Sequence, residues 1–156
     1  SLSMSFWNGM PNEGRATAGW LFSRDHPHAI SRWGTHLGIG GTATQPGRII
    51  LLRGRSDRPL VGKTEIARWS WNHVALVHDS GRVRVHLNGN PEPEIDADVG
   101  GDSGSPIATC FIGGRSDNDS NWEGRMDEVA IFDRPLRSDE IAKLGAIHPN
   151  ESISPR

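Results

Sequence analysis

A single cysteine in 156 residues, Cys110, excludes an intrachain disulfide and any zinc site built on several thiolates, and it leaves the redox compartment unread. Tyrosine is absent altogether, so an aromatic surface has to come from six Trp and four Phe. Neither sign of charge dominates. With 17 Lys and Arg against 19 Asp and Glu the net charge is -2, so no global field draws the chain to nucleic acid or membrane phosphates, and any charged patch is local. No apolar run approaches the roughly 18 to 20 residues that span a bilayer, and no signal-peptide pattern opens the chain. Ser1 stands directly before an alternating apolar stretch, which suggests a piece of a longer protein whose export signal, if any, lies outside it.

Glycine and proline, by contrast, are plentiful (19 and 10), and between them lie short runs with period-two alternation, the pattern of antiparallel strands. Strands are expected over residues 2–7, 18–22, 36–39, 48–53, 69–78, 82–87, 94–97, 107–112 and 124–132. The run Ile49-Ile50-Leu51-Leu52 reads as buried on both faces. Asp79-Ser80-Gly81 is hairpin-turn chemistry, and the strand after it places Val83, Val85 and Leu87 on a core face and Arg82, Arg84 and His86 on a basic one. One helix is expected near the end, with Ser138 as its cap, Asp139 and Glu140 at its positive N-terminus, and Leu136, Ile141 and Leu144 docking it. Gly-Arg-Ser-Asp occurs at 54–57 and 114–117 and reads as two similar strand-end turns. The fold class is all-β, an antiparallel two-sheet sandwich over residues 1–147, followed by a polar tail at 148–156.

Two short motifs point to enzymes, and both fail on chemistry. Gly101-Asp102-Ser103-Gly104-Ser105-Pro106 resembles the loop carrying the nucleophilic serine of chymotrypsin-like proteases. That chemistry needs a histidine base and an orienting carboxylate. Only 102 residues precede Ser103, too few for the barrel that carries the base in that family, and the upstream histidines fall in loops or alternating strands. The segment reads as a loop of small residues. Glu94-Ile95-Asp96-Ala97-Asp98-Val99 resembles the catalytic strand of laminarinase-type glucanases, but retaining glycosidases need a second carboxyl group, and Val99 stands where the acid would fall. No residue set supports catalysis.

Two blocks resemble laminin-G-like jelly-roll domains of the concanavalin A-like lectin and glucanase superfamily. The first is Trp71-Asn72-His73-Val74-Ala75 with Val83-Arg84-Val85-His86-Leu87-Asn88-Gly89. The second runs from Phe111-Ile112-Gly113-Gly114 through Trp122-Glu123-Gly124-Arg125-Met126-Asp127-Glu128-Val129 to Arg134-Pro135-Leu136 and Glu140-Ile141. Leu2 to Trp7 is similar to an early strand of that family. His86 replaces a usual tyrosine, Arg137 stands where the helix-capping Ser or Thr usually sits, and the family's opening strand has no counterpart. The resemblance implies a jelly roll. More narrowly, Phe22-Ser23-Arg24, His36 to Gly41 and Gly113 to Asn118 resemble versions embedded in large bacterial exported proteins with cytochrome-c-like modules, which implies an extracellular, periplasmic or cell-surface accessory domain.

Sugar sites combine an aromatic platform with planar polar side chains. Trp71 and Trp7 read as interior and Trp20 as either, whereas Trp33 and Trp122 lie in polar, loop-like surroundings and are candidate platforms. Around Trp33 stand Arg24, Asp25, His26, His28, Arg32 and His36, a cluster suited to anionic glycans, with Arg115 and Asn118 near Trp122 in sequence. His26-Pro27-His28 lacks a third metal ligand. Asp117, Asp119 and Asn121 offer oxygens in the spacing of a calcium loop, without the glycine of an EF-hand because Trp122 takes its place. The family resemblance adds Asp127 as a structural calcium ligand. The expectation is therefore a non-catalytic module that recognises carbohydrate, with calcium as a possible cofactor, no nucleic acid and no membrane insertion. The competing readings are a domain that packs on its parent chain through an exposed apolar edge and a glycoside hydrolase with a convergent carboxylate pair.

Overall fold

The computed structural model describes residues 1–9, 14–56, 58–100 and 109–147. In chain order the strands are β1 (Leu2–Asn8), β2 (Thr17–Arg24), β3 (Thr35–Gly40), β4 (Arg48–Arg53), β5 (Leu60–Glu65), β6 (Ser70–Asp79), β7 (Arg82–Leu87), β8 (Ile95–Asp98), β9 (Cys110–Ile112) and β10 (Arg125–Ile131), followed by the helix α1 (Ser138–Gly145). They pair antiparallel into two five-stranded sheets, ordered β10-β1-β6-β7-β8 and β5-β4-β3-β2-β9. This is the all-β content of a jelly roll, as expected. The Ser103 loop and the tail at 148–156 lie outside the described residues. Of the two Gly-Arg-Ser-Asp segments, the described Gly54-Arg55-Ser56 directly follows β4 and Gly114 to Asp117 follows β9 after Gly113.

The chain divides into two compact units, each built on one sheet. In the first, formed by described residues of 1–9, 67–100 and 124–147, the alternation of β1 buries Leu2, Met4 and Phe6. Met4 pairs with Val74 and Val74 with Leu87, so the apolar side chains of three strands lie in a row on one face. On the opposite face of β6, Ala75 and Val77 receive Leu136 and Ile141, with Leu144 packed alongside. The helix cap is Arg137, the position the family signature implies, rather than Ser138: the Arg137 amide donates to Glu140 Oε2 at 2.9 Å. Two further bonds of 2.7 and 2.8 Å come from Arg134. Together these donors hold the Glu140 carboxyl down at about 2.

The hairpin between β6 and β7 turns through Ser80 and Gly81, both with positive φ (48° and 89°), the mirror-image turn that matches strand twist. The expected basic face of β7 is partly neutralised in the structure. Arg82 clamps Asp96 of β8 with bonds of 2.6 and 2.8 Å, and Arg84 lies 3.8 Å from the same carboxylate. His86 is buried, its Nδ1 3.0 Å from the Asn90 carbonyl. A residue pair across two strands thus quenches charge that one strand's sequence leaves open.

The second unit, formed by described residues of 14–66 and 109–123, is organised around β3 and β4. Ile49, Ile50 and Leu51 are all buried, so β4 presents apolar side chains to both faces, as its unbroken run predicts. β5 has no strand signal in the sequence. It is an edge strand whose residues are mostly exposed, so no alternation marks it. Register places Trp20, Gly38, Ile50 and Val61 in one row across β2, β3, β4 and β5. Gly38 is required there, because a Cβ would sit 2.7 Å from the Gly19 carbonyl oxygen and 2.8 Å from Trp20 Cε3. Gly38→Ala is expected to push the indole out of place and cost about 1–3 kcal/mol, read as a lower midpoint in urea unfolding with the slope unchanged.

Candidate functional site

The row Trp20, Ile50, Val61 is the floor of a groove on the second unit's sheet, with a volume of ≈ 570 Å³. That is within the size range of small-molecule sites. Leu52 and Pro59 extend the apolar wall, while Thr17, Thr44, Gln45, Ser56, Arg58, Arg115 and Asp119 supply a polar rim. Strand alternation explains the mixture: every second residue of β4 faces the groove, and the rim comes from the turns at the strand ends.

Arg115 dominates the rim. Its guanidinium lies over the Trp20 ring, 5.0 Å from the centroid. Nε and Nη2 donate to the two carboxylate oxygens of Asp117 at 2.8 and 2.9 Å, and Nη2 also reaches Asp119 at 2.8 Å. Nη1 stays clear of these bonds. Burial of the Asp117 carboxyl works to raise its pKa, but the Arg115 guanidinium and the Asp119 amide outweigh it and the net shift is downward. The loop can curl in this way because Asn118 and Ser120 adopt positive φ (64° and 48°), and it is stitched to β2 by the Trp20 amide donating to the Ser120 carbonyl at 2.9 Å. Arg58, by contrast, forms no ion pair among the described residues.

The other residues singled out in the sequence scatter. Trp122 is buried against Gly19 and is no open platform. Trp33 is half-buried with the Arg32 guanidinium 4.5 Å from its ring centroid, and Arg24 and His26 are half-buried. Trp7 and Trp71 are half-buried rather than interior. Asn118 accepts a bond from the Asn121 side chain at 2.8 Å. Of the proposed calcium ligands, Asp117 and Asp119 are bonded to Arg115, Asn121 donates its Nδ2 to Asn118, and Asp127, on β10 in the first unit, accepts the Glu128 amide at 2.8 Å. Among the described residues no three His, Cys, Asp or Glu side chains gather as a metal site.

His36 is the largest departure from expectation. It is fully buried together with Ser23 and Asp25. Ser23 Oγ lies 2.7 Å from His36 Nδ1, and Asp25 Oδ2 lies 3.4 Å from Nε2. The same Asp25 carboxyl accepts the amides of His26 and Ser31 at 2.7 and 2.8 Å, fixing the start of the loop that carries Arg32 and Trp33. The set has the composition of a nucleophilic triad, but enclosure denies it a substrate; it is a buried polar network that ties a loop to a sheet. Burial pushes the imidazole down to about 4, against the opposing pull of Asp25.

A laminin-G family model, described as concanavalin A-like lectin/glucanases superfamily, matches residues 1–142. The chain belongs to this family. Solved structures agree on the fold of this laminin-G-like domain. Domain 4 of a GH43 extracellular arabinanase from Geobacillus stearothermophilus, in complex with arabinotriose, matches with a TM-score of 0.63 at 19% identity over 92% of this chain and 65% of that one. The CBM40 of a Ruminococcus gnavus IT-sialidase bound to α2,3 sialyllactose matches with a TM-score of 0.64 at 18% identity over 95% and 81%. A putative carbohydrate binding protein from Bacteroides ovatus matches with a TM-score of 0.65 at 17% identity over 91% of this chain and 40% of that one. The laminin-G-like chain thus spans less than two thirds of two of these three.

The His36 network of the laminin-G-like domain has a pH signature. With the folded imidazole titrating at about 4 and the unfolded one near 6.5, the unfolded chain binds the extra proton between those values. Stability is therefore expected to fall as pH drops from 6.5 towards 4, by roughly 3 kcal/mol in all. Urea unfolding at pH 7.5, 5.5 and 4.5 checks this: the parent loses stability across that window and a folded His36→Gln variant loses less. Equal slopes for the two would reject the assignment.

Proposed function

We propose that this domain is a non-catalytic carbohydrate-binding module of an exported protein and that its ligand lies in the groove over Trp20. One observation carries the reading: an apolar wall of Leu52, Pro59 and Val61, laid over the buried Trp20 and Ile50, is rimmed by a positioned arginine, a carboxylate, hydroxyls and an amide, the pairing of surfaces that a sugar ring with its apolar face and hydroxyl edge requires. The structural relatives whose names mention bound sugars, arabinotriose and sialyllactose, support the class of ligand. Any preference for acidic glycans rests on Arg58, because Asp117 and Asp119 bring two negative charges against the one positive charge of Arg115. Nη1 of Arg115 stays outside the carboxylate clamp and Arg58 stands at the same rim, so a uronate or sulfate can take charge-assisted bonds from both. Arg115 offsets one of the two negative charges of Asp117 and Asp119 and bonds both carboxylates, so a calcium ion there would have to displace it. Binding that survives a chelator is expected.

A second reading, a domain that packs on its parent chain, is favoured by β10. This edge strand exposes Val129 and Ile131, the latter at 62%. The test is a glycan array holding neutral, uronic-acid and sulfated saccharides, run with calcium and with a chelator. The parent is expected to bind acidic members, Arg58→Ala to lose roughly tenfold for these with little change for neutral ones, and Ile50→Trp, which fills the groove, to lose both. Silence across the array in both conditions would move the assignment to the packing domain.

A further inference from the structure

The first unit carries an indole that neither the groove nor the core uses. Trp69 is the only one of the six tryptophans classed as exposed, at 47%. Its backbone is in the left-handed region, φ 64°, a conformation that bulky residues rarely adopt and that Gly or Asn would occupy at less cost. The turn that holds it is heavily braced. The Trp69 amide donates to the Asn8 carbonyl, Asn8 Nδ2 and Ser70 Oγ both donate to the Ala67 carbonyl at 3.4 and 2.8 Å, and Asn72 Nδ2 bonds the Ser70 hydroxyl at 3.0 Å. A large apolar ring is therefore fixed in water on a strained backbone, which a purely structural turn has no need to do.

The neighbourhood narrows what the ring meets. Trp69 packs on Trp7 with centroids 5.4 Å apart and planes tilted by 58°, and the Arg125 guanidinium lies 5.3 Å from the Trp7 ring centroid. Trp7 pairs with both Trp71 on β6 and Arg125 on β10, and the exposed Asp127 follows two residues on. Exposed Arg68 precedes the indole and forms no ion pair among the described residues. The exposed apolar end of β10 is at the far end of the sheet: Ile131 pairs with Leu2 and Arg125 with Trp7, five residues apart, about 17 Å at ~3.4 Å per residue. A continuous apolar patch for a protein partner is not formed there. What is formed is an exposed indole packed on Trp7, whose ring in turn has the Arg125 guanidinium over it.

We propose that Trp69, packed on Trp7 with Arg125 over the far ring and Arg68 next in sequence, is a second carbohydrate-stacking site, separate from the groove over Trp20, that takes the apolar C–H face of a pyranose ring. The strain at Trp69 is retained for this contact. It follows that the position is poorly chosen for stability and well chosen for binding.

The test follows the tryptophan indole N–H signals of the folded chain by NMR while xylohexaose or cellohexaose is added, and repeats the titration with Ile50→Trp, which closes the groove. The Trp69 signal is expected to shift in both proteins, and Trp69→Ala in the groove-closed background is expected to weaken the remaining affinity roughly tenfold, with Trp69→Phe retaining most of it. Trp69→Gly separates binding from packing: its melting temperature is expected to hold or rise while the affinity falls. A Trp69 signal that stays still while groove signals move would overturn the second site and leave the groove reading intact. Shifts at Trp69 alone, with Ile50→Trp indistinguishable from the parent, would support the second site and show that these neutral chains do not enter the groove. No shift at any indole, or a melting temperature lowered by Trp69→Gly with affinity unchanged, would also overturn the second site.

Discussion

A guanidinium mostly withdrawn from water has to be met by carboxylates, and Arg115, its side chain 15% exposed, meets that demand with two. Satisfying it shapes the second unit. Asp117 and Asp119 can both reach Arg115 only if the backbone between and after them curls through left-handed residues, and that curl presents the Ser120 carbonyl to the Trp20 amide. Trp20 in turn fills the space left over Gly38, and its ring carries the guanidinium. The loop, the indole and the glycine in the next strand form one dependent set. The groove is what remains open beside it.

The two buried histidine arrangements show how polar residues are accommodated within each unit. His36 is bonded by Ser23 and flanked by Asp25, whose carboxyl also gathers two loop amides. In the first unit His73 lies 2.7 Å from Ser3 Oγ, and its amide donates to the Asn88 side chain at 2.8 Å. Buried polar groups left unpaired cost more than paired ones contribute, so such partnerships fix register as firmly as apolar packing does. Loops anchored in this way place Arg32, Trp33 and the residues around Asn88 without any regular structure of their own.

Much of the fold was legible because it rests on local chemistry. The turn at Ser80-Gly81, the doubly buried run of β4 and the closing signature through Asp127-Glu128-Val129 each announce themselves within a few residues. β5 did not, because Pro59, Gly62 and the polar Lys63-Thr64-Glu65 give an edge strand no alternating face. The site was less legible. His36 reads as an accessible ligand beside Arg24 and His26, but only the pairing of β2 with β3 reveals that it faces Ser23 and is closed off. Ile50, Leu52, Val61 and Arg58 carry no motif, since register across four strands brings them together. Trp69 looks like the first residue of a strand. Only its backbone conformation and exposure set it apart from Trp71, two residues later.

The most direct test of the central claim, that the groove over Trp20 is the module's primary glycan site, is a crystal structure of the domain grown with an acidic oligosaccharide that it binds in solution. The account predicts a sugar ring above the Trp20, Ile50 and Val61 floor with its carboxylate or sulfate between Arg58 and Arg115, and Arg115 still bonded to Asp117. A saccharide bound elsewhere with the groove empty, at a ligand concentration that saturates the domain in solution, would contradict it.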